Sequence, residues 1–277
     1  MIDIIERLAN KQPDINEEDY QLDGLWHCGK CKTPKQCVVS LFGRDRVVAC
    51  QCKCEEEAYN LERKRIAERE EMTRIAAART RGIQDKKILS CRFENDDERD
   101  VKMSALMHRY IDHWQEMYEA SQGMIFCGDV GCGKTFYAGC IANALVEKLV
   151  PVLVTDFPKI LAALQSEDDR VGYIEDMNRY KLLVIDDLGV ERQSDYALEQ
   201  VYAVINARYK SGMPLILTTN LSVDEIKNPK DIRYGRIYDR ILEMCIPIKF
   251  HGSSRRQEIS RAKVEEARRI LLSNAEE

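Results

Sequence analysis

Through the last two-thirds of the chain, short apolar runs alternate with stretches whose apolar residues recur at helical spacing. The runs fall at residues 124–127, 151–155, 181–185, 214–219 and 245–250, with amphipathic patterns between the first four. Runs this short and this apolar read as strands buried on both faces. Strands that alternate with helices imply a parallel sheet covered on each side. The expected fold class is α/β, with a five-stranded parallel sheet flanked by helices.

Upstream the pattern changes twice. Residues 55–81 are almost continuously charged, with Ala, Leu, Ile and Met spaced through them and no Gly or Pro before Gly82. That predicts one long exposed helix. The first 54 residues are too few and too polar to build a large core, and Asn95-Asp96-Asp97-Glu98 marks a fresh start. The expected division is a Cys-rich module over 1–54, a charged helical linker over 55–90 and a larger domain over 91–277.

The strongest chemical signal follows the first apolar run. Gly128-Asp129-Val130-Gly131-Cys132-Gly133-Lys134-Thr135 matches GxxxxGK[ST] without a gap, and a helix is expected from Phe136 through residue 148. Glycines let successive backbone N–H groups turn toward phosphate oxygens, and the helix adds its positive end. Lys134 is expected to reach the β- and γ-phosphates and Thr135 to ligate Mg²⁺. The run ending in Asp186-Asp187 would place Asp186 near the Mg²⁺ and Asp187 beside the attacking water. Asn220, ending the 214–219 run, is expected to orient that water, since strand ends of such a sheet meet at the nucleotide. Asn220-Leu221-Ser222-Val223 lacks the NKxD pattern that reads guanine, which favours ATP as the nucleotide.

Composition adds two points. Lys+Arg 42 against Asp+Glu 47 gives 42 − 47 = −5, which excludes a uniformly basic coat for nucleic acid and leaves only local patches. No run approaches the length of a membrane span, and the opening residues are acidic where a secretion signal needs basic then apolar ones, so a cytoplasmic protein with no membrane partner is expected. The second point is cysteine: 11 in all, six of them between Cys28 and Cys54. An odd number clustered early suggests thiolates on a metal rather than a disulfide framework. Cys28-Gly29-Lys30-Cys31 supplies one pair, and Cys50, Cys52 and Cys54 offer three further thiols. The spacing resembles a zinc ribbon, with an iron–sulfur cluster and a redox CxxC as rival readings. Cys37 and His27 are candidate substitutes for one ligand. Cys91, Cys127, Cys132, Cys140 and Cys245 are expected to be small core residues.

From about residue 93 onward the chain resembles the AAA+ ATPases of the DnaC/DnaI helicase-loader group and the related IstB transposition ATPases. The resemblance is carried by GDVGCGKT, LLVIDDLG, LTTN, the segment Gly235-Arg236-Ile237-Tyr238-Asp239-Arg240-Ile241 and the closing Ser253-Ser254-Arg255. It implies that Arg236 is an arginine finger reaching a neighbouring subunit's nucleotide, with Arg240 one turn further on. It also implies that Arg255 senses nucleotide in its own subunit. A Cys-Lys-Cys-Glu run in the group makes Cys52 and Cys54 the preferred second zinc pair. The implied partners are the replicative DNA helicase, single-stranded DNA and further copies of the chain in an ATP-dependent ring or spiral. The implied activity is Mg²⁺-dependent ATP hydrolysis, with slow turnover expected because Asp187 stands where most AAA+ proteins carry Glu. The tail concentrates Lys249, Arg255, Arg256, Arg261, Lys263, Arg268 and Arg269, and its helix is expected to pack Val264, Ile270 and Leu271 inward.

Overall fold

In the computed structural model, described residues are 12–41, 43–189, 194–229, 231–252 and 254–272. The amphipathic opening and Ser253 of the closing motif fall outside them. The chain folds as two units, residues 1–73 and 74–277.

In the first unit, Tyr20–Leu22 (β1) and Leu25–His27 (β2) form an antiparallel hairpin. Its two-residue turn, Asp23-Gly24, has φ of 51° and 78°, the left-handed pair that matches strand twist. Gln36–Leu41 (β3) pairs antiparallel with Arg44–Ala49 (β4), with Gln36 opposite Ala49. A helix, Lys53–Gly82 (α1), begins in this unit. Among the unit's described residues only Cys28, Lys35 and Cys52 are buried.

In the second unit, α1 stops at Gly82 because the backbone there closes on a strand: a Cβ would lie 1.8 Å from Val152 O. Ile83 bridges Val154, and Ile83 and Ile88, the latter in Lys86–Leu89 (α2), are 1% and 7% exposed. Val101–Asp112 (α3) and Trp114–Glu119 (α4) follow. Then come Gly123–Cys127 (β5), Lys134–Glu147 (α5) and Val152–Asp156 (β6). Phe157–Ser166 (α6), Arg170–Met177 (α7) and Leu182–Leu188 (β7) continue the chain. Asp195–Ser211 (α8), Leu215–Thr219 (β8), Val223–Lys227 (α9) and Ile232–Met244 (α10) lead to Cys245–Lys249 (β9) and Arg255–Leu272 (α11).

The sheet is β6-β7-β8-β5-β9, parallel throughout. Side-chain alternation divides its core. Ile125, Cys127, Leu183 and Ile185 face α6, α8 and α10, whereas Met124, Phe126, Leu182 and Val184 face α3 and α5. Crossing between β5 and β8 at the centre of this order brings the carboxyl ends of β5, β7 and β8 together, where such sheets bind ligands. Beneath the opposite end, Arg208 is fully buried. Its guanidinium donates to Pro214 O at 2.6 Å, Tyr180 O at 3.0 Å and Lys181 O at 3.1 Å, tying the starts of β7 and β8 together.

Two packing expectations change. Cys127, Cys132, Cys140 and Cys245 are buried, but Cys91 is half-buried. On α11, Val264, Ile270 and Leu271 are 48%, 60% and 77% exposed rather than packed inward, because the helix extends away from the sheet's core clusters. No helix among the described residues is long and apolar enough to cross a membrane.

Candidate functional site

The loop between β5 and α5 is shaped by three left-handed glycines, Gly128, Gly131 and Gly133, with φ of 144°, 85° and 102°. Two of them also meet the chain that precedes and opens α11. A Cβ on Gly131 would lie 2.2 Å from Ser254 Oγ, and one on Gly133 2.3 Å from an Arg255 guanidinium nitrogen. Arg255 N donates to Gly131 O at 3.1 Å, fixing the α11 start against the loop. Val130 lies exposed at the loop's crest.

Lys134 is only 5% exposed. Its ammonium donates to Gly128 O and Asp129 O, both at 2.7 Å, and to Asn220 Oδ1 at 3.0 Å, so one cation joins the ends of β5 and β8. Cys132 Sγ donates to Asp129 O at 2.9 Å, which places the thiol inside the loop's fold rather than toward the cavity. Thr135 Oγ1 donates to Asp186 at 2.9 Å. A hydroxyl beside a carboxylate, both hard oxygen donors at a helix start, fits Mg²⁺ chemistry.

Thr218, fully buried on β8, lies within LTTN, where its residue type and position carry no mark of a role. Its hydroxyl donates to Asp186 Oδ1 and accepts from Asp187 N at 2.9 Å. The register of β7 against β8 shifts between Ile185 and Leu188, and Asp187 takes φ 58°, a strained value for a residue with a Cβ. Thr218 thus holds the irregular strand end that turns Asp187 outward. Although Asp187 is exposed, partial desolvation of its carboxyl, with the Asp186 charge beside it, raises its pKa above the ordinary aspartate value.

These groups share a cavity of about 690 Å³ lined by Val130, Gly131, Gly133, Lys134, Thr135, Phe136, Asp187, Asn220, Arg255 and Arg256 on one side and Asn95, Asp96, Asp97, Arg99 and Glu258 on the other. That size suits a nucleotide. Asp97 accepts from Arg255 at 2.7 Å, and Arg99 pairs with Glu258 at 2.6 Å, so the 94–99 segment steers the start of α11 over the loop. Asp96 accepts from the Tyr137 hydroxyl at 2.8 Å. In the sequence these acids marked only the start of a domain; the function of Asp97 depends on a partner 158 residues away in the chain.

Arg236 lies elsewhere, exposed on α10, beside a groove of about 630 Å³ with Asp195, Tyr202, Ile232 and Arg233. Arg240 is engaged within its own chain, its guanidinium 4.7 Å from the Tyr202 ring centre and 5.7 Å from that of Tyr209.

In the first unit, the sulfurs of Cys28, Cys31, Cys52 and Cys54 all lie within 4.8 Å of one another, with Cys28 to Cys54 at 3.6 Å and Cys52 to Cys54 at 3.3 Å. Tetrahedral zinc at the usual Zn–S length separates its sulfurs by about 3.8 Å, so the donor set fits. A hydrogen bond with the Thr33 hydroxyl lowers the Cys31 thiol to about 5, while burial pushes Cys52 up to about 12. Cys50 instead turns toward Pro34 O. His27 has its Nδ1 at 3.1 Å from Leu25 O and its ring stacked on Tyr20, and neither residue joins the cluster.

A family model described as IstB-like ATP binding protein matches residues 58–263. The replicative helicase loader DnaI of Bacillus subtilis (strain 168) is 26% identical over 184 residues, 61% of this chain and 59% of that protein. The match thus spans less than two thirds of the loader's own length. The phage-like element PBSX protein XkdC of the same organism is 26% identical over 252 residues, 87% of each chain. In fold, the chain resembles the crystal structure of the DnaC helicase loader, with a TM-score of 0.52 and 22% identity over 60% of this chain and 100% of that one.

Proposed function

Because the chain belongs to the IstB-like ATP binding protein family, with the AAA+ fold shared by DnaC and DnaI, we propose that it is an ATP-driven loader of a replicative DNA helicase, working in the cytoplasm. The observation that carries the reading is the cavity that gathers Lys134, Thr135, Asp187, Asn220 and Arg255 in a chain that also holds a separate four-cysteine cluster. The loop from Gly128 to Phe136 would hold ATP, and Thr135 and Asp186 would hold Mg²⁺, which would neutralise phosphate charge. Lys134 draws charge from the β- and γ-phosphates as the terminal bond breaks. Asp187 takes the proton of the attacking water, and Asn220 orients that water. Arg255 reports the γ-phosphate to α11.

Arg236 completes the site of the next copy in a ring or spiral. Its exposure and its place outside its own chain's cavity suit a group that acts in trans. The four thiolates hold zinc, which fixes a unit that has almost no apolar core of its own and gives the helicase a rigid surface to bind. Single-stranded DNA is taken up by the assembled copies, whose basic residues then line a common path.

The family model also supports a second reading, a transposition regulator of the IstB kind acting on duplex DNA. A nucleotide-bound adaptor with little hydrolysis is the third. Co-purification with a hexameric replicative helicase, with ATP, with ADP and without nucleotide, tests the first. ATP-sensitive association is expected, whereas ATP-dependent binding to duplex DNA with no helicase association favours the regulator. Steady-state turnover that is lost in Lys134→Ala and Arg236→Ala separates both from the adaptor.

A further inference from the structure

The first unit has an ammonium at its centre where larger folds have apolar side chains. Lys35 is 1% exposed, and desolvating a cation at such a position is costly unless its partners are fixed. Nζ donates to Asp14 O at 2.6 Å and pairs with Asp19 at 2.7 Å and Glu55 at 3.0 Å.

Each carboxylate spends its other oxygen on a cysteine-bearing segment. Asp19 Oδ1 accepts from Gly29 N at 2.8 Å, inside the turn between Cys28 and Cys31. Glu55 Oε2 accepts from Cys52 N at 3.2 Å, at the start of the second pair. The Lys35 backbone extends the same links: its N donates to Trp26 O at 2.7 Å and its O accepts from Cys50 N at 2.8 Å, so both chains leading into the thiols are held. The turn has no slack, since a Cβ on Gly29 would lie 2.1 Å from Glu18 O.

Resting on the reading of the four thiols as a zinc site, we propose that Lys35, with Asp19 and Glu55, is the positioning device of that site: it holds the two cysteine pairs at ligating spacing through the backbone amides of Gly29 and Cys52. The network reaches the metal only through these amides, as outer-shell partners orient the ligands of other metal sites. The network lowers the cost of ordering the two cysteine loops as metal binds, so less of the binding energy goes into placing them.

The test uses the full chain. Zinc affinity is measured by competition with a chromophoric chelator, and ligand geometry by the visible absorption of the Co²⁺-loaded protein. Glu55→Gln keeps an oxygen for Cys52 N but removes the charge that meets Lys35. Lys35→Met removes the ammonium at similar volume. Both are expected to weaken zinc binding by about 10- to 100-fold and to change the position or intensity of the Co²⁺ bands, with ATP analogue binding by the second unit unchanged. Where Lys35→Met does not yield folded protein, Glu55→Gln decides. Wild-type affinity and wild-type Co²⁺ bands in the folded variants overturn the proposal and leave the zinc reading intact. A wild-type chain that takes up neither zinc nor Co²⁺ removes the zinc reading and this proposal with it.

Discussion

Replacing Thr218 by Val tests the proposed chemistry at a point that touches neither nucleotide nor solvent. The side chain is fully buried on a central strand, and Val keeps its shape, so packing is conserved while two hydrogen bonds disappear. One is made to the Asp186 carboxylate; a bond to a charged group contributes about 1.5–3 kcal/mol. At about 1.36 kcal/mol per factor of ten, its loss from the reacting geometry lowers kcat by about 10- to 150-fold. The other bond holds Asp187 N at the irregular end of β7, where φ is 58°, so the proposed base loses its backbone anchor as well. Lys134 and the loop amides are untouched, and KM for ATP should stay within about threefold. Steady-state ATPase measured against Mg²⁺ concentration should show lower kcat and a raised Mg²⁺ requirement. Thr218→Ser, which restores the hydroxyl, should recover most of both. A Val variant with wild-type kcat and Mg²⁺ dependence would refute the role assigned to this threonine.

Further outcomes follow from the same geometry. Arg208→Met leaves the carbonyls of Tyr180, Lys181 and Pro214 without their donor and should destabilise the second unit by about 3 kcal/mol or more in chemical denaturation; a change below about 1 kcal/mol would contradict the strut role. Because partial desolvation and the Asp186 charge raise the Asp187 pKa in the free enzyme, its carboxyl there protonates at higher pH than an ordinary aspartate. The pH profile of kcat/KM, which reports the free enzyme, should therefore fall on the acid side with a midpoint above that of an ordinary aspartate, while ATP binding persists. An acid limb at the usual aspartate position would count against Asp187 as the base. Stripping metal with a chelator should unfold the first unit, seen as loss of near-ultraviolet signal from Trp26, yet leave nucleotide binding by the second unit in place. Asp97→Asn loosens Arg255, bonded at 2.7 Å, and should raise KM for ATP more than it lowers kcat; a lower kcat with unchanged KM would place Arg255 in the transition state alone.

Much of the second unit was legible in its local pattern. All five apolar runs became strands within three residues at either end, because a buried parallel strand needs an unbroken apolar run. The phosphate loop was equally plain, since its glycines meet a backbone requirement that no other residue meets cheaply. What escaped was charge satisfied at long range. In the sequence Asp97 marked only a domain start, and Thr218, Glu258, Arg208 and Lys35 carried no mark of a role. Each owes its role to partners that only the folded chain brings within hydrogen-bonding reach. The burial of Ile83 was hidden for a related reason, because a helix-favouring sequence carries no mark of the strand that stops it. The outward Val264, Ile270 and Leu271 show the converse, since an amphipathic pattern states what a helix can bury and not whether a surface is there to receive it.

ATP-driven helicase loading is measured by the transfer of a purified replicative hexameric helicase onto circular single-stranded DNA. The wild-type chain with ATP is expected to raise helicase loading well above the helicase alone, and Lys134→Ala is not. Loading no greater than the helicase alone, or equal stimulation by Lys134→Ala, would contradict it.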